Sequence, residues 1–117
     1  MILVVDYFDH TRRLISKTLQ ENGFQVIEAA TASDALEKGK RFKPELVITE
    51  LSLPDQDGFW LLKEIRQSFG KKSRIIVCSA LADQQSVIKA GQFGIDDFVV
   101  KPFDEERLIA SIKRVGG

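Results

Sequence analysis

The chain is short of most residues that would mark a metal centre, a disulfide scaffold or a membrane span. Cys78 is its only cysteine and His10 its only histidine. No disulfide can close within it, a cytosolic setting is favoured, and no histidine and cysteine cluster suggests zinc. Lys and Arg number 17 and so do Asp and Glu, so no overall field draws the chain to nucleic acid or an acidic membrane surface. No apolar run approaches the ~20 residues of a membrane span. Met1 to Val5 has no basic lead and meets Asp6 at once, so it does not read as a secretion signal. The glycine-lysine-serine or threonine loop of a P-loop and the glycine triplet of a dinucleotide fold are missing. There is no repeat or low-complexity tract, although Gly116 and Gly117 have the composition of a linker's start. The expectation is one cytoplasmic domain over residues 1–117.

What is present is a regular alternation. Ile2 to Val5, Gln25 to Ala29, Leu46 to Thr49, Arg74 to Ser79 and Phe98 to Val100 are short apolar runs, mostly β-branched, as buried parallel strands are. Between them the apolar period becomes helical: Leu14, Ile15, Thr18 and Leu19, then Ala32, Ala35, Leu36 and Gly39, then Leu61, Leu62, Ile65 and Phe69. Val87, Ile88 and Gly91 repeat it, as do Leu108, Ile109 and Ile112. Asp9 or His10 is expected to open the first helix and Gly23 to close it. Thr31 or Ser33 should open the second, Asp83 the fourth and Asp104 the fifth. Such alternation predicts an α/β fold, a parallel sheet with helices on both faces.

In an open parallel sheet, ligands bind beyond the carboxyl ends of the strands, near the point where strand order reverses. That rule alone selects Asp6, Glu50, Ser79 and Lys101, which follow the first, third, fourth and fifth strands. Carboxylates grip a hard cation or accept a phosphoryl group, and a hydroxyl and an ammonium suit the oxygens of an anion.

These residues lie in "ILVVD", "LPDQDG", "SA" and "VVKPF", whose order and spacing resemble the receiver domain of bacterial two-component response regulators, of the chemotaxis-regulator type. The likeness covers essentially the whole chain and implies a flavodoxin-like (βα)5 fold with strand order 2-1-3-4-5. It implies that Asp6 is the first acid of a magnesium site. Glu50 then stands at the phosphoacceptor position, and Ser52 offers a backbone carbonyl to the metal. Ser79 and Lys101 hold phosphoryl oxygens, Phe98 is a switching aromatic, and the bond before Pro102 is cis. Partners, whether a histidine kinase, an output domain or another signalling protein, would meet the fourth helix, fifth strand and fifth helix. Val87, Lys89, Gln92, Phe98, Glu105, Glu106 and Arg107 lie on that face. The implied role is signalling, not enzymatic, with no nucleic acid or membrane contact by this domain.

Two positions depart from the pattern. Tyr7 stands where the second acid should be, and a phenol brings no carboxylate oxygen to a cation that demands near-octahedral ligation. Asp9 is a possible substitute, though opening the first helix is its ordinary use. Glu50 is longer than aspartate by one methylene, roughly 1.5 Å of bond. Phosphoryl transfer depends on positioning, and a misplacement of about 1 Å costs on the order of 100-fold. Three readings of Glu50 stay open: a structural partner for Lys101, a constant imitation of the phosphorylated state, and a working phosphoacceptor. The first two describe a degenerate receiver that acts as a phosphorylation-independent interaction module and needs no magnesium. The third describes a magnesium-dependent receiver fed by a histidine kinase.

Other residues have plainer readings. Ser79 divides evenly between a phosphoryl contact and satisfying nearby backbone. Asp55 and Asp57 are structural turn acids, Cys78 is a buried filler, and His10 is exposed and idle. Of Phe59 and Trp60, one is expected to pack inward and the other to remain at the surface.

Overall fold

The computed structural model describes residues 1–70 and 72–116. Five strands, β1 (Ile2–Val5), β2 (Val26–Ala29), β3 (Leu46–Thr49), β4 (Arg74–Ser79) and β5 (Asp97–Val100), alternate with five helices. The helices are α1 (Asp9–Glu21), α2 (Ala32–Phe42), α3 (Gly58–Ser68), α4 (Gln84–Gly91) and α5 (Glu105–Gly116). The strands form one sheet in the order β2-β1-β3-β4-β5, and every pairing is parallel. The expected strands hold, with β2 starting one residue later and β5 one residue earlier than their apolar runs.

Because successive strand residues face opposite ways, each run supplies two cores. Leu3, Val5, Val47, Ile75 and Val77 pack with Ala32 and Ala35 of α2, Leu61, Leu62 and Ile65 of α3, and Ala90 of α4. Ile2, Val4, Ile48, Ile76, Cys78 and Val99 pack with Ile15 and Leu19 of α1 and Leu108 and Ile112 of α5. Each buried Leu or Ile contributes about 1.5–3 kcal/mol, more than a helix cap at about 1 kcal/mol, so the strands' apolar pattern governs the layering.

The caps fine-tune it. Thr31 accepts from the Asp34 amide, Asp83 from Ser86 and Asp104 from Arg107, while Gly23 follows α1 at a φ of 87°. At α1 the expectation fails. Phe8 holds the cap position without a side-chain bond, and its own amide is taken by Asp6. Asp9 is already helical and points to Arg12, and His10 caps nothing.

The helical faces follow their apolar periods closely in α1 and poorly in α4. In α1 the expected Ile15, Thr18 and Leu19 are buried, joined by Arg12 and Ser16, and only Leu14 of the expected four is exposed. In α4 the row runs through half-buried Ser86, buried Ala90 and Phe93 just beyond the helix, which places Val87 and Ile88 outside it at 36% and 55% exposure. Gly91 is exposed as well.

Candidate functional site

β1 and β3 lie side by side in register, so Asp6 and Glu50, which follow them, come out together at the carboxyl edge of the sheet. β5 brings Lys101 to the same edge across β4. The Lys101 ammonium donates to Asp6 Oδ2 at 2.7 Å and to Glu50 Oε1 at 2.8 Å. All three side chains are largely withdrawn from water. Burial on its own would pull the Lys101 ammonium down, but bonds and attraction to both acids outweigh it and raise its pKa. The Lys101–Pro102 bond is cis.

The remaining oxygens are occupied too. Asp6 Oδ1 accepts from the Phe8 amide at 2.9 Å. Glu50 Oε2 turns back on its own loop and accepts from Leu51 at 2.6 Å and Ser52 at 3.2 Å. Glu50 thus holds the next two amides and Lys101 at once, as Asp6 holds the Phe8 amide and Lys101. Ser79 is fully buried, but its Oγ accepts from the Leu81 amide at 3.0 Å and takes no part in the Glu50 contacts. Phe98 is half-buried against the core beneath α3 and α4.

The acids that could meet magnesium here are Asp6 and Glu50, and both are already paired with Lys101. Tyr7 is 52% exposed and lies edge-on to Phe8, away from the acids. Asp9 is bound to Arg12 at 2.6 Å and does not stand in for the missing carboxylate. Ser52 is exposed, and its loop is tied by a bridge to Asp57. Among the described residues no group of three or more Asp, Glu, His or Cys is arranged to hold a metal.

One site residue was missed by the reading of the sequence. The nearly buried Arg12 donates to the Asp6 carbonyl at 2.9 Å, to Glu28 at 2.9 Å and to Asp9 at 2.6 Å, fixing the loop that carries Asp6 and Tyr7. Burial would lower its pKa, yet the bonds to Asp9 and Glu28 prevail and raise it. Its signal was an arginine on the same helical face as Ile15 and Leu19.

The quieter residues are where their chemistry puts them. Asp55 reaches across to accept from Ala32 and Ser33, both at 2.9 Å, and caps α2 from the loop after β3. Those amides outweigh its burial and lower its pKa. Asp57 caps α3 through the Phe59 amide. Burial pushes the Cys78 thiol up to about 12, so it is not a reactive thiolate. Phe59 and Trp60 are both half-buried; neither is fully at the surface. Lys89 lies over the Phe59 ring at 4.3 Å.

Residues 2–113 match the family of the response regulator receiver domain. The chain belongs to that family. Among curated relatives, this receiver is similar to the chemotaxis protein CheY of Bacillus subtilis, with 42% identity over 97% of this chain and 94% of that one. CheY of Thermotoga maritima is 34% identical over 97% and 95%. Among solved structures, the CheX-CheY-BeF3-Mg+2 complex of Borrelia burgdorferi aligns at a TM-score of 0.93 and 28% identity, covering 99% of this chain and 88% of that one. CheY4 of Vibrio cholerae aligns at 0.91 and 30%, covering 97% and 96%. The receiver is a signalling module of the two-component type, and no helix among its described residues is long and apolar enough to cross a membrane.

Proposed function

We propose that this single receiver domain acts in the cytoplasm as a protein-interaction module whose output does not require aspartyl phosphorylation or magnesium. The observation that carries this reading is the closure of Glu50. One oxygen is held by Lys101 and the other by the Leu51 and Ser52 amides, so no lone carboxylate oxygen stands ready to attack a phosphoryl donor. Lys101 supplies at close range a positive charge shared by both acids, which leaves the trio with one net negative charge.

Full imitation of the phosphorylated state is less well supported than a structural clamp. A carboxylate brings about one charge where a phosphoryl group carries nearly two. Of the two positions that would hold phosphoryl oxygens, Glu50 engages Lys101 alone, while Ser79 serves Leu81. The partner surface proposed is the face of α4, β5 and α5, where Val87, Ile88 and Val100 expose apolar side chains among charged neighbours. Its occupant is a signalling protein, a histidine kinase or an output domain.

The test is acetyl phosphate with magnesium, followed by intact mass. The expected result is no added phosphoryl group on the natural chain, and partial addition in the double variant Glu50→Asp with Tyr7→Asp. A stoichiometric phosphoryl adduct on the natural chain would instead establish the working phosphoacceptor.

A further inference from the structure

A second candidate site lies at the other end of the sheet, where β3 and β4 begin. A cavity of about 430 Å³ opens between the ends of α2 and α3, lined by Lys40, Lys43, Lys72, Ser68, Ser73 and Phe69. We propose that it binds a small organic phosphate, an anionic group carried on a flat apolar portion as in a nucleotide.

Two of the three charges, Lys43 and Lys72, are surplus to what the helix ends need. Lys40 and Arg41 in the last turn of α2 offset the partial negative charge of that helix end. Lys43 and Lys72 lie beyond the helices. None of the three lysines meets a carboxylate among the described residues. The acid on the cavity wall, Glu45, is held by the amino group of Met1 at 2.7 Å. A balanced chain with 17 basic residues has thus gathered three of them, without partners, around one concavity. Lys43 also adopts a left-handed φ of 49° at the α2 cap, where glycine is the low-cost residue.

The wall suits the ligand class. Ammonium groups bind phosphate as point charges, and the hydroxyl-bearing Ser68 stands among them. The loop that carries Lys72 and Ser73 is pinned from behind: Arg66 donates to the Ser73 and Gly70 carbonyls, and Ser73 Oγ to the Phe69 carbonyl. Phe69 contributes a flat apolar wall. Its ring crosses Gly39 so closely that a Cβ there would come within 2.1 Å, so the absence of a side chain on α2 is what admits the ring. The volume falls within the range of about 300–1,000 Å³ typical of small-molecule sites. A long nucleic acid is disfavoured, since the lysines form a local cluster and not an extended stripe.

The experiment is an amide NMR titration of the full chain with adenosine diphosphate, with inorganic pyrophosphate in parallel at constant ionic strength. Saturable shifts are expected at Gly39, Lys43, Ser68 and Ser73, with Asp6 and Glu50 unmoved and adenosine diphosphate the tighter probe. Lys43→Asn tolerates the left-handed backbone, and combined with Lys72→Gln it should keep Tm within a few degrees of the natural chain. That double variant should weaken binding at least about tenfold. Shifts that stay linear into the millimolar range would overturn the proposal. So would an affinity unchanged in the double variant, or pyrophosphate binding as tightly as adenosine diphosphate. None of these outcomes bears on Glu50, which lies at the opposite end of β3.

Discussion

Two acid-base clusters share one domain and live under different physics. At the carboxyl edge, the side chains of Asp6, Glu50 and Lys101 are 2%, 5% and 16% exposed. At the start of β5, Asp97 is 12% exposed but meets Arg107 and Arg114 of α5, which are 44% and 64% exposed. In the first cluster each charge was taken out of water and depends on its partners for the return. In the second, the cations keep their hydration and water screens whatever they gain. The same residue types therefore act as an all-or-none closure in one place and a tolerant rim in the other.

Lys101→Met strikes the comparison hardest, because it leaves two acids buried without a counter-charge. A loss of about 3–5 kcal/mol is expected from the shift in urea midpoint. A loss below about 1 kcal/mol would show that water reaches the acids freely. The raised Lys101 pKa sets the pH window. The lysine's contribution is fully present below its ordinary value of about 10 and is lost only as pH rises through the higher folded value. The gap between natural chain and variant should accordingly persist to pH 10.

Glu50→Gln comes next, at about 1–3 kcal/mol by the same denaturation. An amide oxygen can still take the Leu51 and Ser52 amides, and Lys101 keeps Asp6.

At the rim the effects shrink. Asp97 accepts from Ser111, from the Phe98 amide and from Arg107; burial would raise its pKa, and these bonds bring it below the usual carboxylate value. A depressed folded pKa stabilises above the unfolded value and loses that contribution as pH falls through the folded one. Asp97→Asn should cost about 1 kcal/mol at neutral pH. Its Tm should converge on that of the natural chain below about pH 4, and a constant difference down to pH 2 would contradict the assignment. Arg107→Ala is the smallest, about 0.2–1 kcal/mol, and most of it should vanish in 1 M salt.

The same contrast explains what could be read before the structure. Strand runs such as Ile2 to Val5 are buried on both faces, so their composition alone identifies them. Asp6, Glu50 and Lys101 were legible because parallel topology delivers every strand end to one edge. How Glu50 spends its second oxygen was not. That depends on a side chain curling to the Leu51 and Ser52 amides, which leaves no spacing signature. The α4 face misled because Val87, Ile88 and Gly91 keep a helical period while the helix beds on Ala90 and Phe93. An apolar period tells which residues share a face, and not which face the sheet receives. Arg12 was passed over for the converse reason, being a charge in a buried row.

The loop after β3 is buckled shut by something other than its acid. Gly58 opens α3 with its amide on the Leu51 carbonyl at 2.9 Å, and a Cβ at that glycine would come within 2.4 Å of the Leu51 backbone. The chain returns upon itself there, and the Ser52–Asp57 bridge closes the intervening turn. The frame that presents residue 50 thus has ties of its own, besides those that Glu50 makes to the Leu51 and Ser52 amides. Shortening Glu50 should change the chemistry at the loop's mouth without redrawing the loop, because the Gly58 and Ser52–Asp57 ties do not pass through its side chain.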